Sequence, residues 1–245
     1  GHSYYFHLGI NSGMGLEVSS ISEWKGMEVE PTEGEMKIAY SIGDYYPDPT
    51  DPETAIGVVF WVDPKDNRHG KIVHPIENSC SWGPVKDIFY TSMYNGVVNM
   101  NRVWSVMFSF QSHPPFKFAW AFNENSSNGN IYANATTGIW YLPALEELSA
   151  LAAGFSGLVY ENIAGWSYDM PGYNSNASLD FRKAFNSKLK EIGGHELASI
   201  NAGSDHYWSS SENGSEKAHY VTMPNGSKHS TSKLQKIKVR AIMAF

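Results

Sequence analysis

The stretch Gly138-Ile-Trp-Tyr-Leu-Pro-Ala-Leu-Glu-Glu-Leu-Ser-Ala-Leu-Ala-Ala153 decides how the rest of the chain is read. Ile139 to Tyr141 is a short aromatic strand. Pro143 is expected in the first turn of a helix, where the N–H it lacks would have no partner anyway. Glu146 and Glu147 follow in that turn and meet the positive end of the helix dipole. Leu145, Leu148 and Leu151 recur at helical spacing with Ala152 beside them, which predicts one buried face, and Gly154 is expected to close the helix. A strand, a proline entry and an amphipathic helix define an α+β element without chemistry of its own.

Outward from it, strands dominate. Ala55 to Asp63, Ala-Ile-Gly-Val-Val-Phe-Trp-Val-Asp, is a near-continuous apolar run, the pattern of a strand covered on both faces. Gly70 to His74 is expected to pair back after the polar turn at Lys65 to His69. Trp82-Gly-Pro84 opens a helix-permissive stretch expected to end near Asn101. Pro114-Pro115 breaks an aromatic-rich segment, and Asn123 to Thr137 is a polar loop. Leu179 to Ile192 is a second amphipathic helix, with Phe181, Phe185, Leu189 and Ile192 as its stripe and Gly193-Gly194 as its stop. At the C-terminal end, His206 to Glu212, Ala218 to Met223 and Ile237 to Phe245 read as strands, separated by the turn signals Asn213-Gly214 and Asn225-Gly226.

The chain has 245 residues and a formal net charge of -7, without a basic stripe, so nucleic acid is excluded as a partner. Lys236, Lys238 and Arg240 would share one strand face, where they could grip an anionic glycan or stand as a solvated face. The single cysteine, Cys80, precludes an internal disulfide and a Cys-rich zinc site, and no apolar run approaches the ~20 residues of a membrane span. Asp44, Asp48 and Asp51 lack the spacing of a helix-loop-helix calcium site. The nine histidines contain no zincin pattern, His206 with His219 being the nearest approach to a metal pair. No Gly-x-Ser-x-Gly elbow is present. The expectation is a chain with no cofactor, no metal and no enzymatic activity, an unrecognised glycan-active carboxylate pair being the residual alternative.

Tyr4, Phe6, Leu8 and Ile10 alternate with polar neighbours, Leu16 and Val18 resume the alternation, and Ile21 and Trp24 end it. These residues resemble the last hairpin of fimbrillin-like domains, the β-sandwich modules of surface fimbriae in Gram-negative anaerobes. Met27 to Met36, acidic and turn-prone, reads as a linker. Five further blocks stand in order: Gly57-Val-Val-Phe-Trp-Val-Asp63, Gly138-Ile-Trp-Tyr-Leu-Pro143 with Glu147-Leu148, Tyr207-Trp-Ser-Ser-Ser-Glu212, Ala218-His-Tyr-Val221 and Val239-Arg-Ala241 with Phe245. Together they resemble the bacterial surface-domain family named for the C-terminal domain of collagen-like adhesins, with its fimbrial major paralogous relatives. That resemblance implies a C-type lectin-like fold with two helices, a long loop excursion and a terminal three-strand sheet whose last strand pairs with the first. The expected organisation is a hairpin remnant over 1–26, a linker over 27–39 and an adhesin domain over 40–245. Formylglycine-generating enzymes share a similar Trp-x-Leu-Pro block, but their two thiols are missing, as are the calcium triplets of C-type lectins.

The implied role is adhesion at the outer surface of a Gram-negative bacterium, as a fimbrial or fimbria-associated protein. Its partner would be a glycan or a surface protein, with other fimbrial subunits as neighbours. Candidate ligand residues are Trp166, Tyr168, Asp169, Tyr173 and Asn174, where aromatics alternate with amide and carboxylate groups on a long loop. Trp140, Glu146, Glu147, Trp208, Glu212 and Arg240 are expected to form a structural network. Within it, Arg240 should pair with Glu212, Glu146 or Glu147, because an unpaired buried charge is costly.

Overall fold

The computed structural model describes residues 38–88, 91–123, 137–160, 169–198 and 205–245. The hairpin expected over 1–26, the linker up to residue 37 and the polar loop over 124–136 lie outside the described residues. Eight strands and four helices are described: β1 (Tyr45–Tyr46), β2 (Gly57–Val62), β3 (Gly70–Cys80), α1 (Gly96–Met107), α2 (Pro114–Trp120), β4 (Trp140–Tyr141), α3 (Leu145–Phe155), α4 (Asn176–Glu191), β5 (Asp205–Asn213), β6 (Lys217–Met223), β7 (Lys228–Ser232) and β8 (Ile237–Ala244). All strands belong to one sheet of order β1-β2-β3-β8-β5-β6-β7, with β4 attached to β8. Every pairing is antiparallel except the contact of β5 with β8 at Tyr207 and Lys238. The fold is α+β with a mixed, mostly antiparallel sheet.

The last strand does not lie against the apolar run β2. It pairs with β3, from Lys71 opposite Ala244 to Cys80 opposite Ile237, and β3 separates it from β2. The cause is the length of β3. It runs eleven residues rather than the five its hydrophobic pattern suggested, and its polar second half is held by the ladder to β8. A further strand, β7, follows the Asn225-Gly226 turn; its Lys-His-Ser-Thr-Ser sequence has no apolar alternation to announce it.

The helices also differ from the pattern. The described residues between Trp82 and Asn95 are irregular, and α1 begins only at Gly96, where the Asn95 side chain accepts the N–H of Val98. Pro114-Pro115 ends nothing; it starts α2, occupying the first turn where its absent N–H groups carry no cost. Pro143 lies two residues before α3, and its carbonyl accepts the N–H of Ser210 at 2.7 Å. The N-cap is Ala144, which has no oxygen to offer. The cap bond comes from the Glu147 carboxylate, which accepts the Ala144 N–H at 2.9 Å. Gly154 does not stop the helix, which continues through Phe155. A Cβ at Gly154 would stand 1.9 Å from the Phe60 carbonyl oxygen, so glycine lets the helix backbone lie directly on β2.

Core packing centres on α3. Leu145, Leu148, Leu151, Ala152 and Phe155 are all 0% exposed, and only Glu146 in the helix is not fully buried. A helix enclosed nearly all round is a core element rather than an amphipathic surface helix. Trp82 and Trp208 tie the end of β3 to β5 by reciprocal bonds: Trp82 Nε1 donates to the Ser209 carbonyl at 2.8 Å, and Trp208 Nε1 donates to the Cys80 carbonyl at 3.0 Å.

Candidate functional site

Apart from Arg182, which donates to Ser156 Oγ and the Tyr173 carbonyl, three clusters hold buried charge against the sheet. Glu147 accepts from Lys71 Nζ at 2.6 Å, Tyr141 Oη at 2.9 Å, Ala144 N at 2.9 Å and Gly96 N at 2.8 Å, so one carboxylate ties β3, β4, α3 and the start of α1. Glu212 accepts from the fully buried Lys233 and from the Ile88 N–H, and Lys233 also donates to the Lys86 carbonyl at 2.7 Å while lying 4.9 Å from the Trp82 ring. Burial pushes the Glu212 carboxyl above the ordinary carboxylate range, against the pull of the Lys233 ammonium and the Ile88 N–H. The third cluster corrects the expected partner of Arg240. Its guanidinium meets Glu77 Oε2 at 2.9 Å and the carbonyls of Pro75, His195 and Glu196 at 2.8–3.0 Å, not Glu212, Glu146 or Glu147. The register explains this, since Glu77 stands directly opposite Arg240 on β3.

Lys236, Lys238 and Arg240 therefore do not form an anion-gripping face. Arg240 is buried, and Lys238 is engaged by Asp205 at 2.8 Å and Glu77 at 3.3 Å. His206 and His219 do not converge either. His206 stands opposite Thr222, an odd number of residues from His219, so the two rings leave opposite faces of the sheet. Asp44, Asp48 and Asp51 each accept from their own turns, at Ser41, Thr50 and Glu53 with Thr54. Among the described residues no group of three His, Cys, Asp or Glu is placed to hold a metal ion. Trp140 and Trp208 are buried, Trp140 packing edge-on against His74 at 4.6 Å.

Of the ligand candidates, Trp166 and Tyr168 lie outside the described residues. Asp169 and Tyr173 are brought together: burial first, then the Asp169 charge and a hydrogen bond to it, raise the Tyr173 phenol. Asp169 also accepts from the Asn225 side chain at 2.7 Å, and the Met170 N–H donates to the Asn225 carbonyl at 2.8 Å. This end of the excursion is therefore pinned to the turn between β6 and β7. Asn174 is exposed and makes no part of that contact.

The same hairpin carries an open surface depression. It opens between β7, the β5–β6 turn and the segment before α1, has a volume of ≈ 460 Å³, and is lined by Met93, Asn213, His219, Lys228, His229 and Ser230. Lys228 Nζ meets Glu146 Oε2 at 2.6 Å, and Tyr160 Oη donates to the same carboxylate oxygen. Burial and then Glu146 raise the Tyr160 phenol far above its ordinary value. Asn213 Nδ2 donates to Ser230 Oγ at 2.9 Å, and His229 Nε2 lies 3.2 Å from Ser227 Oγ. Burial lowers the His219 imidazole, whose Nδ1 stands 3.4 Å from the His229 carbonyl. On the other face of the hairpin, the His206, Tyr220 and His229 rings form a row with centroids 4.8 and 5.4 Å apart. Sequence reading singled out Glu146 but missed its partner, because β7 carries no hydrophobic alternation.

Among the described residues no helix is long and apolar enough to cross a membrane. No family model and no curated protein matches the chain. Among solved structures it is similar in fold to the crystal structure of a fimbrial protein from Bacteroides ovatus, with a TM-score of 0.52 and 16% identity over 84% of this chain and 49% of that one. The chain thus spans about half the length of the fimbrial protein whose fold it shares.

Proposed function

We propose that the chain is a non-catalytic adhesion domain of a fimbrial or fimbria-associated protein, displayed outside a Gram-negative cell and recognising a glycan or a surface protein. In this reading residues 40–245 form a C-type lectin-like adhesin domain, reached through the 27–39 linker from a fimbrillin-type hairpin over 1–26. The observation that carries it is the likeness of fold to a fimbrial protein across 84% of the chain. The two resemblances in the sequence point to the same setting. The disposition of the carboxylates agrees with a role without catalysis. Glu77, Glu146, Glu147 and Glu212 are each held by a cation and by hydrogen-bond donors, so none is poised as a general acid or base.

The ligand surface is assigned to the β6–β7 hairpin and the excursion pinned to it, including Asp169, Tyr173 and Asn174 and, by sequence, Trp166 and Tyr168. The test is immunogold labelling of fimbriated cells with antibody to this domain, coupled to adhesion assays with the purified chain. Label along or at the tip of fimbriae together with cell attachment is the expected result. Label without attachment would reassign the chain as a structural fimbrial subunit, and absence of surface label would remove the fimbrial reading.

A further inference from the structure

The depression on the β6–β7 hairpin gathers a cation, the His219 imidazole, an amide, a hydroxyl and a thioether on one face, the His229 ring lying on the other. What decides its chemistry is that the cation is already answered. Lys228 and Glu146 meet at 2.6 Å with side chains only 10% and 12% exposed, and Tyr160 caps the same carboxylate oxygen. The wall therefore presents no uncompensated charge to a ligand. It presents instead polar groups with capacity to spare. Asn213 uses one amide proton on Ser230, which leaves its carbonyl oxygen, its second proton and the Ser230 hydroxyl proton for another partner. Met93 supplies an apolar, polarizable floor, and Tyr94 beside it is 66% exposed. Paired donors and acceptors next to an apolar surface match a sugar ring, which shows hydroxyls at its rim and C–H groups on its face.

From this arrangement we infer that the β6–β7 depression binds neutral, uncharged glycan residues, and that the Glu146–Lys228 pair is the specificity element that turns acidic glycans away. The inference rests on the adhesion reading above and narrows it to one site and one ligand class. The carboxylate at Glu146 does two things here. It cancels the attraction that Lys228 alone would exert on a sulfate or carboxylate, and it repels such a group directly. Removing its charge while keeping its shape exposes the cation to the ligand. At a few ångströms across water that attraction corresponds to roughly a fivefold gain in affinity.

The experiment prints neutral oligosaccharides beside sulfated and sialylated ones and probes them with the full chain at low salt. Wild type should bind neutral glycans in preference to acidic ones. Asn213→Ala combined with Ser230→Ala should weaken that binding roughly tenfold, the effect of losing about 1.4 kcal/mol of hydrogen bonding. Glu146→Gln can still accept from Tyr160, so the fold is retained, as circular dichroism would verify. In this variant the ratio of acidic to neutral binding should rise roughly fivefold and fall back with added salt. Preference of wild type for acidic glycans, neutral binding untouched by the Asn213/Ser230 variant, or no glycan retained by any form would each overturn the inference. Cell attachment that persists without glycan binding would do so while leaving the adhesion reading intact, and loss of both would remove the two together.

Discussion

Two ion pairs of the same composition, Lys233–Glu212 in the closed interior beneath the Trp82–Ile88 segment and Lys228–Glu146 on the β6–β7 hairpin, sit in very different surroundings. The first is wholly enclosed: Lys233 is 0% exposed, its remaining capacity goes to a backbone carbonyl and the Trp82 face, and Glu212 is also held by the Ile88 N–H. The second has an edge on the surface, next to groups with unused hydrogen-bonding capacity. A charge pair in a saturated shell fixes structure, because every alternative arrangement leaves a buried ion without a partner. A pair at the rim of an unsaturated shell can be read by a ligand. The separation of roles follows from what lies around each pair rather than from the residues in it.

The largest effect is expected at the enclosed pair. Glu212→Gln leaves the Lys233 ammonium buried against a neutral amide and should cost about 3–5 kcal/mol. Urea unfolding with an unchanged slope and a lower midpoint would register it. A loss below about 1 kcal/mol would mean that Lys233 escapes to water and that the interior is not sealed.

The sealed interior was partly legible and partly hidden in the sequence. Periodicity located β2, α3, α4, β5, β6 and β8, because there one apolar pattern corresponds to one buried surface. It failed where hydrogen bonding or contact with a distant segment decides. The polar half of β3 is a strand because β8 pairs with it, and β7 because β6 does. Gly154 looked like a helix stop because glycine usually is one; its role here, direct contact with the Phe60 carbonyl, depends on a strand some ninety residues earlier. A carboxylate for Arg240 followed from the cost of isolated charge, but its identity as Glu77 is a matter of register. The Asn213–Ser230 contact across the hairpin is likewise a fact of three dimensions. Composition offered no sign of it.

A second expected effect joins the interior to pH. His113 is 0% exposed, packed edge-on against Trp82 and Phe116, and its imidazole is depressed to about 4 by burial and by the nearby Lys233 and Lys86 charges. His74, stacked on Phe122, is also lowered to about 4, by burial first. Both rings bind fewer protons in the fold than in the unfolded chain, where the ordinary value is near 6.5. Stability from each is therefore complete above pH 6.5 and declines as pH falls through the window from 6.5 to 4. The loss should approach about 2–3 kcal/mol per imidazole at the lower limit. His113→Leu should lower the slope of stability against pH in that window, whatever its effect at neutral pH, while His74, His206 and His219, all lowered by burial, keep the rest. An unchanged slope would show that His113 is already charged inside the fold.

The smallest effect is expected at the hairpin, and it sharpens the contrast most. Glu146→Gln, Lys228→Gln and the double variant form a cycle whose coupling isolates the pair from its surroundings. At 10% and 12% exposure, with water at the rim, the coupling should be about 1 kcal/mol. The single variants should cost little more, because each remaining charge can be hydrated through the depression. Added salt should shrink the coupling, since screening reaches a pair that solvent reaches. The corresponding salt dependence at Lys233–Glu212 should be absent. If the two cycles returned equal energies with equal indifference to salt, the hairpin pair would be as sealed as the enclosed one. A ligand could then not sense it, and the exclusion of acidic glycans would lose its physical basis.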